Sequence, residues 1–245
     1  MPITKDTINT PAGACAVTLA APDGAGPWPG IVMYPDAGGP RDTFDQMAAQ
    51  LADHGYVVLV PDIYYRDAGW APFDMATVFG DEDERTRLFG MIQKVTPEFM
   101  AADAAAFFDY LQARPEVSGE TFGTTGYCMG GRTSLVVAGR VPERVAAAMS
   151  FHGGGLASED PGSPHLLADR IRAAVYVGGA ENDASFTDEN AETLAGALTG
   201  AGVEHTIEFY PAAHGFAVPD NAPYDEAAAT RHWQAMVDFF GAKLG

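Results

Sequence analysis

The sequence predicts an α/β fold, in which a mostly parallel, doubly wound sheet is flanked by helices on both faces. Short apolar runs alternate with longer segments of helical periodicity through most of the chain, which is typical of strand–helix–strand units. The run 56–60 is apolar at every position and ends at Pro61, as expected for a parallel strand that is buried on both faces. A glycine-rich turn at 126–131 joins a β-prone segment to a helix-compatible one.

The predicted elements follow one another in a regular order. The first strand is a candidate for antiparallel pairing at an edge, and the first helix ends at Gly55. Later helices have leucines four apart, at Leu194 and Leu198, or an apolar face with Trp233 and Phe240. The predicted strands are 14–19, 30–34, 56–60, 121–125, 145–151, 173–177 and 203–210, and the predicted helices are 44–54, 97–113, 132–140, 188–201 and 227–243.

Composition limits the classes of function. The 245 residues have room for one large α/β domain or two small ones, and we assign 1–245 to a single domain. With a formal net charge of −19 and no basic cluster, the chain is expected to repel nucleic acids and anionic membranes. We therefore expect no nucleic-acid partner and no membrane partner.

The cysteine content and the amino terminus predict a cytoplasmic protein. Two cysteines, Cys15 and Cys128, do not make a disulfide framework in a chain of this size. The segment 1–6 lacks the apolar core of a signal peptide, and no run reaches the ~18 apolar residues that span a bilayer. A reducing compartment would suit a working thiol.

One stretch, at about 64–95, interrupts the alternation. It contains 69–73 (GWAPF) and the charged run 81–85 (DEDER), and it follows the end of a predicted strand. Two interpretations have equal weight: a lid-like excursion over the active-site side, or an ordinary surface loop with a solvated helix.

The strongest chemical signal is the turn Gly126-Tyr127-Cys128-Met129-Gly130. It reads Gly-x-Cys-x-Gly, with a cysteine where a nucleophile elbow normally carries serine. Such a turn would raise the thiol of Cys128 at the carboxyl end of the sheet, beside the amino end of a helix. The alternative for a lone cysteine is a small buried apolar residue.

Two further residues complete a candidate triad. Asp183 follows the predicted strand 173–177, with Glu181 as its competitor, and His214 follows the strand 203–210. Nucleophile, acid and histidine thus occur in the order found in hydrolases with such an elbow. Singly, Asp183 would be a turn residue or helix cap and His214 a hydrogen-bonded loop residue, but their conjunction with Cys128 favours catalysis.

The residues around the proposed thiol are assigned supporting roles. Backbone N–H groups of Met129 and Ala37 are the candidate oxyanion donors. Asp36 is either a carboxylate that disfavours the thiolate or a turn residue before Gly38.

The segment 152–155 (HGGG) looks like an oxyanion motif but follows the nucleophile, so His152 is expected to line the pocket instead, with Tyr127. No histidine has metal-ligand spacing with another ligand residue, so we predict neither a metal nor a cofactor.

These features resemble the dienelactone hydrolase family of α/β-hydrolases over nearly the whole chain. The likeness includes the loop with Asp36, the run from Gly55 into 61–64 (PDIY), the Cys128 elbow, and the Asp183 and His214 loops. The resemblance implies an α/β-hydrolase fold and a cysteine hydrolase that opens enol-lactones or cleaves activated esters through a thioester acyl-enzyme.

Departures from the family pattern bear on the substrate. Asp36 stands where the family has a thiol-holding glutamate. Arg87 matches by position the first of two arginines that hold a substrate carboxylate, whereas Val218 replaces the second and Met91 replaces a tyrosine. With half of that clamp missing, the expected substrate is a neutral, apolar ester or lactone rather than dienelactone.

Two other functions stay open at this point. A non-catalytic ligand-binding or regulatory member of the family would also fit the shortened Asp36 side chain and the missing arginine. A redox thiol is the third reading, although no Cys-x-x-Cys pair supplies a resolving partner. A monomer and a homodimer are both compatible with the sequence.

Overall fold

The fold is an eight-stranded, mostly parallel sheet with helices on both faces, as the sequence predicts. The computed structural model describes residues 3–244. Its strands are β1 (Ile3–Thr10), β2 (Gly13–Ala20), β3 (Trp28–Tyr34), β4 (Val57–Pro61), β5 (Val117–Gly126), β6 (Val145–Phe151), β7 (Ala174–Ala180) and β8 (His205–Tyr210). Its helices are α1 (Asp42–Ala52), α2 (Glu82–Ile92), α3 (Pro97–Gln112), α4 (Met129–Arg140), α5 (Asp188–Gly200) and α6 (Glu226–Leu244), with a 3₁₀ helix at Pro164–Arg170.

The strand order is β1-β2-β4-β3-β5-β6-β7-β8. Every pair from β4 to β8 is parallel, while β2 pairs antiparallel with both β1 and β4. The expectation of an antiparallel strand near an edge is confirmed in its pairing but not in its position, because β1 forms the edge. The sequence prediction missed β1 because nearly all of its side chains are exposed and it has no apolar stripe.

Two apolar cores lie on opposite faces of the sheet. Helices α1 and α6 cover one face, where Phe44, Met236 and Phe240 are buried. Helices α3, α4 and α5 cover the other, where Phe108, Leu135 and Leu194 are buried. No helix among the described residues is both long and apolar enough to cross a bilayer.

The boundaries of two predicted helices change near the site. Helix α1 ends at Ala52 instead of 54, because Gly55 has φ +93° and the chain turns before it. Helix α4 begins at Met129 instead of 132, so it starts directly after Cys128. The thiol therefore sits at the very first turn of the helix.

The segment between β4 and α3 contains α2 and packs over the elbow. Its side chains Tyr64, Phe73, Met75 and Leu88 form a third apolar cluster. Ala37 and Met129, the candidate oxyanion donors, belong to the same cluster. The excursion that interrupts the sequence pattern is therefore anchored against the carboxyl edge of the sheet.

Candidate active site

Cys128 occupies a strained turn that only glycines can surround. Its backbone has φ +54° and ψ −117°, a conformation that is rare outside glycine. A Cβ on Gly126 would lie 2.1 Å from the carbonyl oxygen of Gly130, and one on Gly130 would lie 2.2 Å from that of Tyr34. The elbow thus requires glycine at both positions, as the motif predicts.

His214 and Asp183 come together although 31 residues separate them in sequence. The imidazole Nδ1–H donates to Asp183 Oδ2 at 2.6 Å, and Asp183 Oδ1 accepts from the N–H and hydroxyl of Ser185 at 2.8 and 2.7 Å. Burial would raise the pKa of the Asp183 carboxyl, but the hydrogen bonds from His214 and Ser185 outweigh it and lower that pKa. Asp183 is therefore an ionised group that orients the imidazole.

Cys128 and His214 line the same cavity. Burial disfavours the imidazolium, but hydrogen bonding to Asp183 and to Cys128 outweighs burial and raises the pKa of His214 to about 10. With Nδ1 committed to Asp183, Nε2 is the nitrogen left to exchange a proton with the thiol. A thiolate facing an imidazolium is a strong nucleophile near neutral pH.

Two backbone N–H groups are available to an oxyanion at this edge. Met129 is the first residue of α4, so its N–H has no partner within the helix. Among the loop hydrogen bonds of residues 3–244, neither the Met129 nor the Ala37 N–H is a donor. The Ala37 carbonyl, by contrast, accepts from the Tyr64 hydroxyl at 2.8 Å, which fixes the loop. Both N–H groups remain predictions for the oxyanion hole.

The thiol opens into a small, largely apolar cavity of about 90 Å³. Phe79 and Met75 of the excursion form one wall, and Phe79 is 55% exposed at the mouth. No lysine or arginine is among the lining residues, which are Asp36, Ala37, Met75, Phe79, Cys128, His214, Gly215, Asn221, Ala222 and Pro223.

Asp36 lines the cavity, and neighbouring side chains and a backbone N–H hold its carboxylate. Arg41 donates to both of its oxygens, at 2.7 and 3.0 Å, and Asn221 and the Gly38 N–H supply the remaining bonds at 3.1 and 2.9 Å. No hydrogen bond joins Asp36 to Cys128 within the described part of the chain. These partners hold the Asp36 carboxylate in the cavity wall, and its effect on the thiol stays a prediction.

Arg87 lies outside the cavity, contrary to the prediction. Its guanidinium donates to both carboxylate oxygens of Glu84 and to the Ala71 carbonyl, and it stacks 3.7 Å from the ring centroid of Phe73. An arginine three residues after a glutamate on an exposed helix finds its partner locally. A substrate carboxylate in the cavity would therefore not be bound by Arg87.

His152 and Tyr127 are buried behind His214 instead of lining the cavity. The His152 ring is fully buried and packs edge-on against His214, with centroids 5.1 Å apart. Burial, chiefly, holds the pKa of His152 well below its ordinary value, so the ring is neutral. The Tyr127 hydroxyl hydrogen-bonds His232 Nε2 at 3.0 Å, away from the thiol.

Sequence reasoning missed four residues that support the site. Ser185 holds Asp183, Tyr64 holds the Ala37 carbonyl, and Arg41 joins Asp36 to Asp220. Only Ser185 had a local signal, two residues after an aspartate. In the described residues, no group of three or more metal-ligating side chains is arranged to hold a metal ion.

Comparison with known proteins identifies related sequences over most of the chain. The dienelactone hydrolase family profile matches residues 15–244. The carboxymethylenebutenolidase of Pseudomonas putida is 26% identical over 214 residues, which cover 87% of this chain and 85% of the relative.

Two solved structures extend the comparison. One named m3DLH has a TM-score of 0.80 at 25% identity and covers 99% of both chains. A dienelactone hydrolase-like promiscuous phosphotriesterase from metagenomic libraries has a TM-score of 0.75 at 27% identity and covers 100% of both chains.

Proposed function

The chain belongs to the dienelactone hydrolase family of carboxylic ester hydrolases, and on that basis we propose that it cleaves neutral esters or lactones with Cys128, His214 and Asp183. The observation that carries the proposal is the 2.6 Å bond from His214 to Asp183, beside a cavity that both His214 and Cys128 line. Thiol, imidazole and carboxylate linked in this way are the parts that covalent acyl transfer requires.

In the acylation step, the thiolate of Cys128 attacks the carbonyl carbon of the ester. The carbonyl electrons move to oxygen, and the resulting anion accepts hydrogen bonds from the Met129 and Ala37 N–H groups. Removing one such donor typically costs ~100-fold or more in turnover. When the tetrahedral intermediate collapses, the C–O bond breaks, His214 Nε2–H protonates the departing alkoxide, and a thioester remains on Cys128.

In the deacylation step, the now neutral His214 removes a proton from water. The hydroxide attacks the thioester carbon, the same N–H groups hold the second oxyanion, and the C–S bond breaks. The carboxylic acid leaves and the thiolate–imidazolium pair returns. Asp183 keeps Nδ1 protonated throughout, so Nε2 always faces the reacting groups.

The cavity favours a neutral substrate with a short acyl group. Its volume of about 90 Å³ holds only a few heavy atoms beyond the reacting carbon. Asp36 is the only carboxylate in its lining, and it forms an ion pair with Arg41. With no free cation to balance it, a substrate carboxylate would lose its hydration without compensation.

The test uses p-nitrophenyl acetate and a matched series of lactones. Wild-type protein should hydrolyse the ester, and rapid acid quenching followed by mass spectrometry should detect an acetyl group on Cys128. Cys128→Ala should lose both signals, whereas Cys15→Ala, which removes the other thiol, should keep them. Undiminished turnover in Cys128→Ala would overturn the proposal, and wild-type protein without turnover or adduct would favour a ligand-binding role.

A second candidate activity is hydrolysis of neutral phosphotriesters. Its support is the absence of a lysine or arginine from the cavity lining, together with 27% identity to the promiscuous phosphotriesterase. Paraoxon turnover that disappears in Cys128→Ala would support this activity, and turnover that persists in the variant would assign it to another site or to a contaminant.

A further inference from the structure

Arg41 is a nearly buried cation that holds two carboxylates at once. Its side chain is 10% exposed and lies directly before α1, over the ring of Phe44. The guanidinium donates to Asp36 at 2.7 and 3.0 Å, and it donates to Asp220 at 2.6 and 2.8 Å. Paired hydrogen bonds from a guanidinium to a carboxylate fix the orientation of the two groups as well as the distance between them.

The two carboxylates belong to different loops of the proposed site. Asp36 immediately precedes Ala37, whose N–H is a candidate oxyanion donor, in the loop after β3. Asp220 lies six residues after His214, in the loop after β8. Asn221 adds a second tie, because its Nδ2 donates to Asp36 Oδ2 at 3.1 Å. The Arg41–Asp220 and Asn221–Asp36 bonds therefore join residues that are 179 and 185 positions apart in sequence.

We propose that Arg41 is a positioning residue, which ties the loop carrying the Ala37 N–H to the loop carrying His214 through Asp36 and Asp220. This inference rests on the proposed function for its catalytic consequence, although the tie itself does not depend on catalysis. An oxyanion donor acts only if it is held in place before the reaction begins.

Arg41 also controls a charge beside the thiol. Asp36 is 1% exposed and lines the same cavity as Cys128. Without Arg41 this carboxylate would be buried next to a thiolate and, during the reaction, next to an oxyanion. The repulsion would disfavour both, so loss of Arg41 should impair the chemical step more than substrate binding.

The loop has other supports, so removal of Arg41 should leave the protein folded. The Tyr64 hydroxyl holds the Ala37 carbonyl, and the Trp70 ring packs so closely that a Cβ on Gly39 would lie 2.7 Å from it. The Asp183–His214 pair is formed by other loops. A loosened tie is therefore the expected result of the substitution, rather than an unfolded chain.

The experiment compares Arg41→Met with Arg66→Met. Arg66 is a matched control because it also makes a paired contact to a carboxylate, Asp103, with 21% side-chain exposure, but it lies outside the cavity. Amide hydrogen exchange followed by mass spectrometry reads the tie directly. Peptides covering 35–41 and 215–224 should exchange at least about 10-fold faster in Arg41→Met and at the wild-type rate in Arg66→Met.

Kinetics with p-nitrophenyl acetate supply the second readout. In Arg41→Met, kcat should fall about 100-fold while KM changes less than about 3-fold, as expected when an aligned group is displaced. Arg41→Lys keeps the positive charge but loses the paired hydrogen bonds, so its kcat should lie between those of Arg41→Met and wild-type protein. Asp220→Asn serves as the milder variant if Arg41→Met does not fold.

The outcomes separate this inference from the proposed function. Unchanged exchange in both peptides of Arg41→Met would overturn the tie whether or not the protein is an esterase. A wild-type protein without ester turnover would remove the proposed function, yet faster exchange would still support the tie. Turnover in Arg41→Met equal to that in Arg66→Met would overturn the catalytic consequence.

Discussion

The two cysteines of this chain occupy regions with opposite chemistry. Cys15 lies within β2 and is 0% exposed, and its thiol points at the carbonyl oxygens of Ala16 and Asp62, each 3.4 Å away. Burial, reinforced by the negative charges of Asp62 and Asp103, raises its pKa to about 12. Cys128 lies just beyond the end of β5 and lines the same cavity as His214.

Location in the sheet accounts for the different chemistry of the two thiols. The middle of a strand surrounds the sulfur with side chains and carboxylates, which keep the proton on it. The carboxyl end of a central strand opens onto loops and onto the amino end of a helix, where a negative charge is favoured. The same residue type is a packing group in one region and a candidate nucleophile in the other.

Alkylation should separate the two regions by the largest factor. With iodoacetamide at pH 7, Cys128 should react at least about 1,000-fold faster than Cys15, because only a thiolate attacks and Cys15 holds its proton to about pH 12. Peptide mapping by mass spectrometry gives the two rates separately.

His214→Gln tests whether His214 causes the higher reactivity expected of Cys128. It removes the imidazolium next to Cys128, so the rate at Cys128 should fall at least about 10-fold. The rate at Cys15 should stay the same, since no contact links it to His214. Equal labelling of the two cysteines in the folded wild-type protein would contradict the comparison.

The features of the site that could be predicted from sequence are those with a signal in adjacent residues. The elbow around Cys128 was predictable because its glycines and cysteine are contiguous and their turn permits no other residue at Gly126. Asp183 and His214 were predictable because each follows a strand, and parallel strands end at one edge. Their loops needed no knowledge of distant partners.

Partners far apart in sequence escaped prediction. Nothing near Asp36 indicates that its partner Arg41 also binds Asp220, which is 179 residues from Arg41 in sequence. The position of Arg87 in the sequence predicts a place in the pocket, but Glu84, one helical turn away, already supplies a carboxylate partner. Strand β1 was missed because an exposed edge strand carries no apolar pattern.

A second prediction concerns Gly126 and Gly13, which precede Cys128 and Cys15 by two residues. Gly126→Ala puts a Cβ 2.1 Å from a backbone oxygen, so the elbow must distort. We expect a loss of about 3 kcal/mol or more in the free energy of unfolding, or no folded protein.

Gly13→Ala provides the contrast, because Gly13 has open space around it and only an unfavourable φ of +132°. That substitution should cost about 1–2 kcal/mol. Urea unfolding of both variants measures the difference. Equal losses would mean that a small shift of the elbow relieves the close approach at Gly126, so that the elbow does not require glycine there.

Cys15 should matter more for stability, although Cys128 is the more reactive thiol, and alanine substitution of each cysteine tests this. Cys15→Ala leaves a gap in the apolar core and should lower the free energy of unfolding by about 1–2 kcal/mol. Cys128→Ala borders a cavity that already exists, so its effect should stay within about 0.5 kcal/mol. Thermal and urea unfolding test the two variants, and a larger loss at Cys128 would indicate that its thiol contacts stabilise the elbow.

The last expected effect is a pH dependence of stability that arises from Cys15. Its pKa is about 12 in the folded protein against an ordinary value of 9.0, so between these values the unfolded chain releases a proton that the folded chain keeps. Stability from this group is complete below pH 9 and is lost as the pH rises toward 12. The advantage of wild-type protein over Cys15→Ala should therefore shrink by about 1 kcal/mol between pH 8 and pH 10. Tyrosines titrate equally in both proteins and cancel in the difference, so parallel stability curves would mean that Cys15 ionises as freely in the folded chain as in the unfolded one.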